Sequence, residues 1–349
     1  MSSVKSSRIE TLDWLRGLMA LSIMFYHLTI WIIAPQDSSS PLGRLGVYGV
    51  SIFFVLSGLS MAIVYNKYID SINKALKFFV RRIFRILPLM IAASTLVILP
   101  EVLRSGKYDW WLYFINITTL FGFIEPTSYI PVGAWSIGNE MVYYALTPVI
   151  IIIYNYKKWA GNILLVICIG IGSLFAFYLM KPDMSISDQW ALYVNPFNNL
   201  FLYVIGIAIY YNFKDITISP IVNIMILLIA SALFCFLPYE GNQMSIVTGH
   251  GRIVFVLLSS IIVLCFYKLK VNLPGFLSNI LETFGIATYG VYLVHPIVYF
   301  YVATFLNRFN IRSDELIYGM VMVLTITISV ISYKLFELRM IKLGKKLTS

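Results

Sequence analysis

Residues 46–65 read GVYGVSIFFVLSGLSMAIVY, a run of 20 positions without one charged side chain. An α-helix needs about 17 to 25 predominantly apolar residues to cross the hydrocarbon core of a bilayer. Similar windows recur along the whole chain, and the ten that qualify are 12–34, 46–65, 83–103, 137–155, 161–180, 197–213, 219–238, 251–268, 284–306 and 315–336. The sequence therefore predicts an all-α protein, a polytopic membrane helical bundle with about ten transmembrane helices.

The composition supports the same class. Apolar residues make up 59% of the 349 positions and charged residues only 12%, whereas soluble domains are roughly half apolar and a quarter charged. The three cysteines are scattered through apolar segments without CxxC spacing, so neither a disulfide framework nor a thiolate metal site is indicated. No repeat or linker divides the chain, and we expect residues 1–349 to form a single membrane domain.

The distribution of basic residues predicts the orientation of the bundle. Cytoplasmic loops of membrane proteins carry an excess of Lys and Arg, and with both termini in the cytoplasm 18 of the 26 basic residues lie on that side. Seven, Arg44 and Arg252 among them, are expected on the outer side. Membrane topology thus explains the net charge of +10 better than nucleic-acid binding does. The aromatic stretch 108–124 is interrupted by polar residues, and we interpret it as a re-entrant or interfacial segment.

Ionisable groups inside membrane spans are costly and are therefore candidates for function. The first span contains Asp13, Arg16 and His27, which the helical repeat places on one stripe, with His27 toward the outer leaflet. In the fourth span, Ser136, Glu140 and Tyr144 share one face. Glu140 is expected about two turns below the outer surface, near the depth of His27, so the two could form an acid/base pair.

Two further segments carry chemistry. A basic elbow ahead of the third span contains Arg82 and Arg85, one helical turn apart and suited to gripping phosphate groups in the cytoplasm. In the ninth span, His295 lies near mid-membrane, follows Tyr289 and precedes Pro296, which we expect to break the helix. Structural alternatives remain open: the arginines could anchor a helix end to anionic lipid, His295 could be a packing group, and Asp13 with Arg16 could be a structural ion pair.

Taken together, these segments resemble the acyltransferase 3 family of integral membrane acyltransferases, which modify cell-surface carbohydrates. The motifs that carry the resemblance are LDWLRG at 12–17 leading to Tyr26-His27, GVSIFFVLSG at 49–58, Arg82-x-x-Arg85, Trp135-Ser136-x-x-x-Glu140 and Tyr289-Gly290-x-Tyr292-Leu293-x-His295-Pro296. Near the end, Glu337 is followed by Leu338-Arg339 where the family often has a proline. That departure concerns the geometry of the last turn.

The resemblance implies an O-acetyltransferase of the inner (cytoplasmic) membrane of a bacterial cell. The acyl donor would be cytoplasmic acetyl-CoA and the acceptor a hydroxyl of a surface glycan or a lipid-linked sugar, with no metal. His27 would be the general base or a transient acyl carrier, Glu140 would orient or charge it, and Asp13 with Arg16 would shape the donor tunnel. The expected catalytic residues are His27, Glu140 and Asp13, the donor-binding residues Arg82, Arg85 and Arg16, and the secondary candidates His295, Tyr289, Ser136 and Tyr144.

Two other functions are compatible with the same residues. The enzyme could transfer a different acyl group, for instance succinyl. Alternatively, the buried ionisable residues could line a substrate or proton path in a transporter of glycans or lipids. Transporters often contain inverted repeats with interrupted spans in corresponding positions, and the sequence contains no convincing internal repeat.

Overall fold

A computed structural model describes residues 9–349, and every regular element within this range is helical. The first eight helices are α1 (Glu10–Ile32), α2 (Pro41–Tyr65), α3 (Ile72–Ser105), α4 (Trp110–Ile117), α5 (Phe121–Ile124), α6 (Trp135–Tyr156), α7 (Lys158–Leu174) and α8 (Trp190–Tyr193). They are followed by α9 (Pro196–Phe213), α10 (Pro220–Phe236), α11 (Met244–Val247), α12 (Gly249–Lys268), α13 (Gly275–Arg308), α14 (Asp314–Ser332) and α15 (Leu338–Leu347). Two π-helical segments, Phe175–Leu179 and Tyr333–Glu337, extend α7 and α14.

The all-α polytopic architecture is confirmed. Within residues 9–349, nine helices are long and apolar enough to cross a membrane. The remaining predicted span, 219–238, corresponds to α10, which has 17 residues and would be about 26 Å long. Near its start, Asn223 donates to the carbonyl of Cys265 at the end of α12, and at its end the carbonyl of Phe234 accepts from Arg44 near the start of α2. The short helix thus runs between the same two ends of the bundle as its neighbours.

Both described termini lie at one end of the bundle, which we call the basic end. Thr11 donates to the carbonyl of Phe266 at the end of α12, and Arg81 near the start of α3 donates to Thr348 at the C-terminus. Asn155 at the end of α6 donates to the carbonyl of Asn66 after α2. We call the other end, where α1 ends and α2 begins, the opposite end.

Glycines let the helices nearest the site approach closely. A Cβ atom on Gly17 of α1 would lie 2.8 Å from the backbone nitrogen of Gly285 of α13, and one on Gly58 of α2 would lie 1.9 Å from the carbonyl oxygen of Tyr203 of α9. Small residues at such crossings are how membrane helices gain packing contact where lipid supplies no hydrophobic drive. The glycines therefore fix α1 against α13 and α2 against α9.

Two sequence expectations need correction. The segment ahead of the third span is not an elbow, because α3 runs unbroken from Ile72 to Ser105 through Pro88. Pro296 does not break the ninth span either, and α13 continues for 34 residues. Prolines are tolerated inside membrane helices because neighbouring groups satisfy the backbone groups that they free. The stretch 108–124 forms the short helices α4 and α5, and neither is long enough to span a bilayer.

Two arginines expected on the outer side are buried instead. Arg44 is 2% exposed and donates to the carbonyls of Ser38, Phe234 and Leu237. Arg252 is 7% exposed and donates to the side-chain and backbone oxygens of Asn198. Because both guanidinium groups bind helix ends inside the bundle, the loops at the opposite end carry less positive charge than the sequence count suggested.

Candidate active site

A cavity of about 380 Å³ opens between α1, α2, α3, α6 and α13. Eight of the ten residues singled out from the sequence line it, namely Asp13, Arg16, Arg82, Arg85, Ser136, Glu140, Tyr144 and Tyr289. Further polar lining residues are Ser57, Ser60, Thr288, Tyr292 and Tyr333. The volume is within the range of about 300 to 1,000 Å³ that ligand pockets occupy. The sequence stripes therefore converge on one cavity even though they come from different helices.

Two arginines line the cavity toward the basic end. The Arg82 guanidinium donates to the Tyr65 hydroxyl at 3.0 Å and lies over the Tyr144 ring, 5.7 Å from its centroid. Its Nε atom is buried without a hydrogen-bond partner. Arg85 lies 3.8 Å from a carboxylate oxygen of Glu337, which is buried at the end of the second π-helical segment. This part of the cavity has guanidinium N–H capacity that an anionic ligand could use.

Asp13 and Arg16 form an ion pair in the wall of the cavity. Nη1 of Arg16 donates to Oδ1 of Asp13 at 2.5 Å, and its Nη2 donates to the Ser60 hydroxyl of α2. The backbone of Asp13 lies against Gly285, where an added Cβ would come within 2.5 Å of the Asp13 carbonyl oxygen. The pair therefore sits at the α1–α13 crossing and ties α1 to α2.

Glu140 of α6 is held by two hydroxyl groups. The Ser57 and Tyr144 hydroxyls each donate to its Oε1 atom at 2.5 Å. Ser57 and Tyr144 also lie 3.3 Å apart. A carboxylate that accepts two such bonds is fixed in orientation, and all three side chains face the cavity.

Toward the opposite end, the lining of the cavity extends to Tyr292 of α13. The Tyr292 hydroxyl donates to the carbonyl of Gly133 at 2.9 Å and lies 2.8 Å from the Ser136 hydroxyl. The Phe53 ring packs edge-on against Tyr292, with centroids 6.0 Å apart. Tyr292 thus joins α13 to the first turn of α6 and forms the last polar group of the lining.

Just past Tyr292 lie the two histidines of the bundle interior. Nδ1 of His27 is 2.8 Å from Nε2 of His295, and Nδ1 of His295 is 2.8 Å from the carbonyl oxygen of Val291. The His295 and Tyr292 rings have centroids 6.5 Å apart. On the other side, the indole of Trp31 stacks on His27 at 4.9 Å with an interplanar angle of 8°. The imidazole pair is therefore adjacent to the end of the cavity, although neither histidine lines it.

The predicted pairing of His27 with Glu140 is wrong. The partner of His27 is His295, and Glu140 is bound by Ser57 and Tyr144. The depth estimate failed because Gly133 does not lie at the outer surface: it contacts Tyr292, already one turn below His295 along α13. Glu140 is seven residues further down, or about 10 Å. The 2.8 Å contact between the two imidazoles places both histidines at one level. The separate outer-leaflet and mid-membrane depths predicted for them therefore cannot both hold.

Sequence reasoning missed several groups that the structure brings to the site. Ser60 binds Arg16, Tyr65 binds Arg82, and Trp31 stacks on His27. Ser57 and Tyr292 were noted only as parts of motifs. A search for polar side chains within spans would have found Ser57 and Ser60 one turn apart, but their partners could not be read from α2 alone.

The arrangement places anion-binding groups in one part of the cavity and a neutral imidazole pair just beyond its other end. Within residues 9–349, no three His, Cys, Asp or Glu side chains gather as a metal site would require. What the lining offers is guanidinium groups toward the basic end, hydroxyls and a fixed carboxylate in the middle, and imidazoles just beyond the other end. Such a set can hold an anionic molecule with an extended arm and move a proton at the arm's tip.

Comparisons with known proteins find an acyltransferase family model and relatives named as acetyltransferases. A family model described as an acyltransferase domain matches residues 9–334. The chain is 26% identical to the peptidoglycan O-acetyltransferase OatA of Listeria monocytogenes over 83% of this chain and 49% of that protein. It is also 26% identical to the putative acetyltransferase ORF330 of Acidianus two-tailed virus, over 80% of each chain.

A third relative is the putative peptidoglycan O-acetyltransferase YrhL of Bacillus subtilis, 31% identical over 42% of this chain and 24% of that protein. The chain thus spans about half the length of OatA and a quarter of YrhL. No solved structure matches it.

Proposed function

The chain belongs to the acyltransferase family whose model spans residues 9–334, and from that premise we propose that it is a membrane O-acetyltransferase. It takes the acetyl group from acetyl-CoA on the cytoplasmic face and delivers it to a hydroxyl of a cell-surface glycan. Peptidoglycan is the acceptor named for OatA and YrhL, and we propose a glycan of this class as the acceptor here. The membrane is the cytoplasmic membrane of a bacterial cell.

One observation carries the proposal: a single cavity is lined by two arginines toward the basic end and stops one helical turn short of an imidazole pair. Phosphate groups are recognised by guanidinium forks, and the buried Nε atom of Arg82 has a hydrogen to donate and no acceptor. Arg82 and Arg85 would bind the phosphates of CoA. The volume of about 380 Å³ suits the slender pantetheine arm, with the nucleotide remaining near the basic end.

The arm must cover the distance from the arginines to His27. Asp13 lines the same cavity as these arginines, and along α1 it is 14 residues, or about 21 Å, from His27. Hydroxyl groups of Ser57, Ser60 and Tyr292 face this route and offer hydrogen bonds to the amide groups of pantetheine. Asp13 with Arg16 shapes the wall, and Glu140 fixes Ser57 and Tyr144.

In the reaction, the acceptor oxygen attacks the thioester carbonyl carbon while His27 takes the hydroxyl proton. The carbon–sulfur bond breaks, the thiolate leaves, and His27 returns the proton to it, so that the products are the acetyl ester and CoA. This direct displacement differs from the acyl-carrier alternative, in which Nε2 of His27 would itself be acetylated. Donor labelled in the acetyl group, given without acceptor, separates the two, because only the carrier route leaves label on the protein.

The proposal is tested with the purified chain in lipid nanodiscs, labelled acetyl-CoA and peptidoglycan fragments. Labelled ester on the glycan together with an equal amount of free CoA supports it. Mass spectrometry of the product identifies the acyl group and separates acetyl from succinyl. Movement of unmodified glycan across a proteoliposome membrane without release of CoA would contradict the proposal and favour a transporter.

A further inference from the structure

We propose that His295 is a positioning residue that holds His27 in the Nδ1–H tautomer, so that Nε2 of His27 is the atom that accepts the proton. The catalytic consequence rests on the proposed function, whereas the tautomer itself follows from the hydrogen bonds. The inference replaces the carboxylate partner that the sequence suggested with a neutral imidazole.

The first step concerns His295. Its Nδ1 atom is 2.8 Å from the carbonyl oxygen of Val291. A carbonyl can only accept, so Nδ1 must carry the hydrogen. His295 is 1% exposed, and no described carboxylate bonds to either ring, so a charged imidazolium there would lack compensation. In the neutral ring Nε2 therefore bears the lone pair.

The second step passes this constraint to His27. Nδ1 of His27 is 2.8 Å from Nε2 of His295, and one of the two atoms must donate. Because Nε2 of His295 is an acceptor, Nδ1 of His27 is the donor. The lone pair of His27 is then on Nε2, to which no described residue makes a hydrogen bond. A second histidine thus does what a backbone carbonyl or carboxylate usually does for a functional imidazole.

The third step is the orientation of the ring. The Trp31 indole stacks on His27 almost in parallel, and the Tyr299 ring packs on Trp31 with centroids 5.0 Å apart. The planes of the two imidazoles differ by 18°. When His27 takes a proton on Nε2, the positive charge spreads through the Nδ1–H bond to Nε2 of His295. The pair can therefore hold a transient proton without a carboxylate.

The tautomer is measured directly by ¹⁵N NMR of the full chain in nanodiscs, labelled at histidine. The sequence has three histidines, so the resonances are assigned by comparison with His27→Gln and His250→Gln. We expect a protonated Nδ1 and an unprotonated Nε2 at His27 in the wild-type protein. In His295→Gln the side-chain oxygen can still accept, and the tautomer should persist, whereas in His295→Leu the two tautomers should mix. A protonated Nε2 at His27 of the wild-type protein overturns the inference.

Kinetics of the same variants test the consequence. Loss of the group that orients a metal-bound histidine typically costs 10- to 100-fold, and by analogy kcat of His295→Leu should fall by roughly that factor with the KM for acetyl-CoA unchanged. His295→Gln should recover to within about fivefold of wild type. Wild-type kcat in His295→Leu overturns the positioning role. A kcat of His295→Gln as low as that of His295→Leu, with the tautomer retained, assigns His295 a direct proton-transfer role and also overturns it.

The two proposals fail in different ways. If the wild-type protein transfers no acetyl group but the NMR shows the Nδ1–H tautomer, the proposed function fails and the hydrogen-bond chain stands. If transfer occurs and the tautomer is the other one, the proposed function stands and this inference fails. Comparable thermal unfolding of the three His295 forms shows that the changes in kcat do not come from misfolding.

Discussion

The two ends of the cavity are built from different chemistry. Toward the basic end, Arg82 and Arg85 carry permanent charge, and the carboxylate of Glu337 lies 3.8 Å from Arg85. Beyond the other end, His27 and His295 bond to each other and to a backbone carbonyl. The first set suits holding a charged molecule, because guanidinium groups do not lose their protons. The second suits moving a proton, because a neutral imidazole has one ring nitrogen that can accept a proton and one that donates a hydrogen bond.

This difference assigns donor binding to one end of the cavity and proton transfer to the other. Changes at the arginines should affect how tightly the donor binds, and changes at the histidines should affect the rate of transfer once it is bound. Substitutions at the two ends of the cavity and between them test that separation.

Replacing His27 should have the largest effect. We expect His27→Ala to lower kcat by roughly 10²- to 10⁴-fold, the range for loss of a general base, with the Kd for CoA changed less than twofold. The loss follows because no other described residue hydrogen-bonds to Nε2 of His295 and could take the place of His27. Calorimetric CoA binding and the transfer assay measure the two quantities. The matched control is His250→Ala, which replaces an exposed histidine in the first turn of α12 and should keep its activity.

A large loss of CoA affinity in His27→Ala would contradict the separation. It would mean that the imidazole pair contributes to donor binding or holds the cavity open. Equal kcat in His27→Ala and wild type would remove His27 from the chemistry altogether.

The arginines give the next largest effect. A hydrogen bond to a charged group contributes about 1.5 to 3 kcal/mol, so each of Arg82→Ala and Arg85→Ala should raise the Kd for CoA by roughly 10- to 100-fold. At saturating donor, kcat should remain within a few-fold of wild type. The matched control is Arg81→Ala, since Arg81 binds Thr348 and does not line the cavity. Unchanged CoA affinity in both variants would favour an anchoring role at the lipid surface.

Glu140 should give an intermediate effect, because it touches neither end. We expect Glu140→Gln to lower kcat by less than about tenfold, since the amide oxygen can still accept a hydrogen bond from Ser57 or Tyr144. Steady-state kinetics at saturating donor measure this. The control on the same helix is Tyr143→Phe, because the Tyr143 hydroxyl donates to the carbonyl of Pro196, away from the cavity. A loss as deep as that of His27→Ala would show that Glu140 acts on the reacting groups.

Glu337 should give the smallest effect. Its carboxylate competes with a donor phosphate for Arg85 but lies 3.8 Å from it, beyond the usual length of a hydrogen bond, so the competition is weak. Glu337→Gln should therefore lower the Kd for CoA by a few-fold. Salt titration of CoA binding checks the electrostatic origin. Weaker binding in Glu337→Gln would mean that the carboxylate positions Arg85 for the donor.

Much of the fold could be predicted from the sequence because lipid imposes a simple requirement on length and polarity. All ten predicted segments are helical. The extra length of α3 and α13 was missed, since hydropathy reports the hydrocarbon region and not the polar turns that continue a helix beyond it. For α3 this matters, because Arg82 belongs to a continuous helix rather than to an elbow.

Most of the residues that line the cavity could be predicted from the sequence, but which of them contact one another could not. Helical periodicity found the stripes containing Arg16, Glu140 and Arg82, and all three line the cavity. Which stripe meets which depends on how deeply each helix is set, and the contact of Tyr292 with Gly133 places the start of α6 at the level of Tyr292. No local pattern in the sequence indicates that contact. The sequence therefore predicts a pair of Glu140 with His27 and leaves His295 a secondary candidate.

The most direct test is whether the acetyl group passes from a donor on one side of the membrane to an acceptor on the other. The protein is placed in sealed proteoliposomes, with labelled acetyl-CoA on the side of the basic end and peptidoglycan fragments enclosed on the opposite side. We expect labelled ester on the glycan, free CoA on the donor side, and neither product with His27→Ala. Labelled glycan only when donor and acceptor share one side would contradict a channel that joins the arginines to the histidine pair.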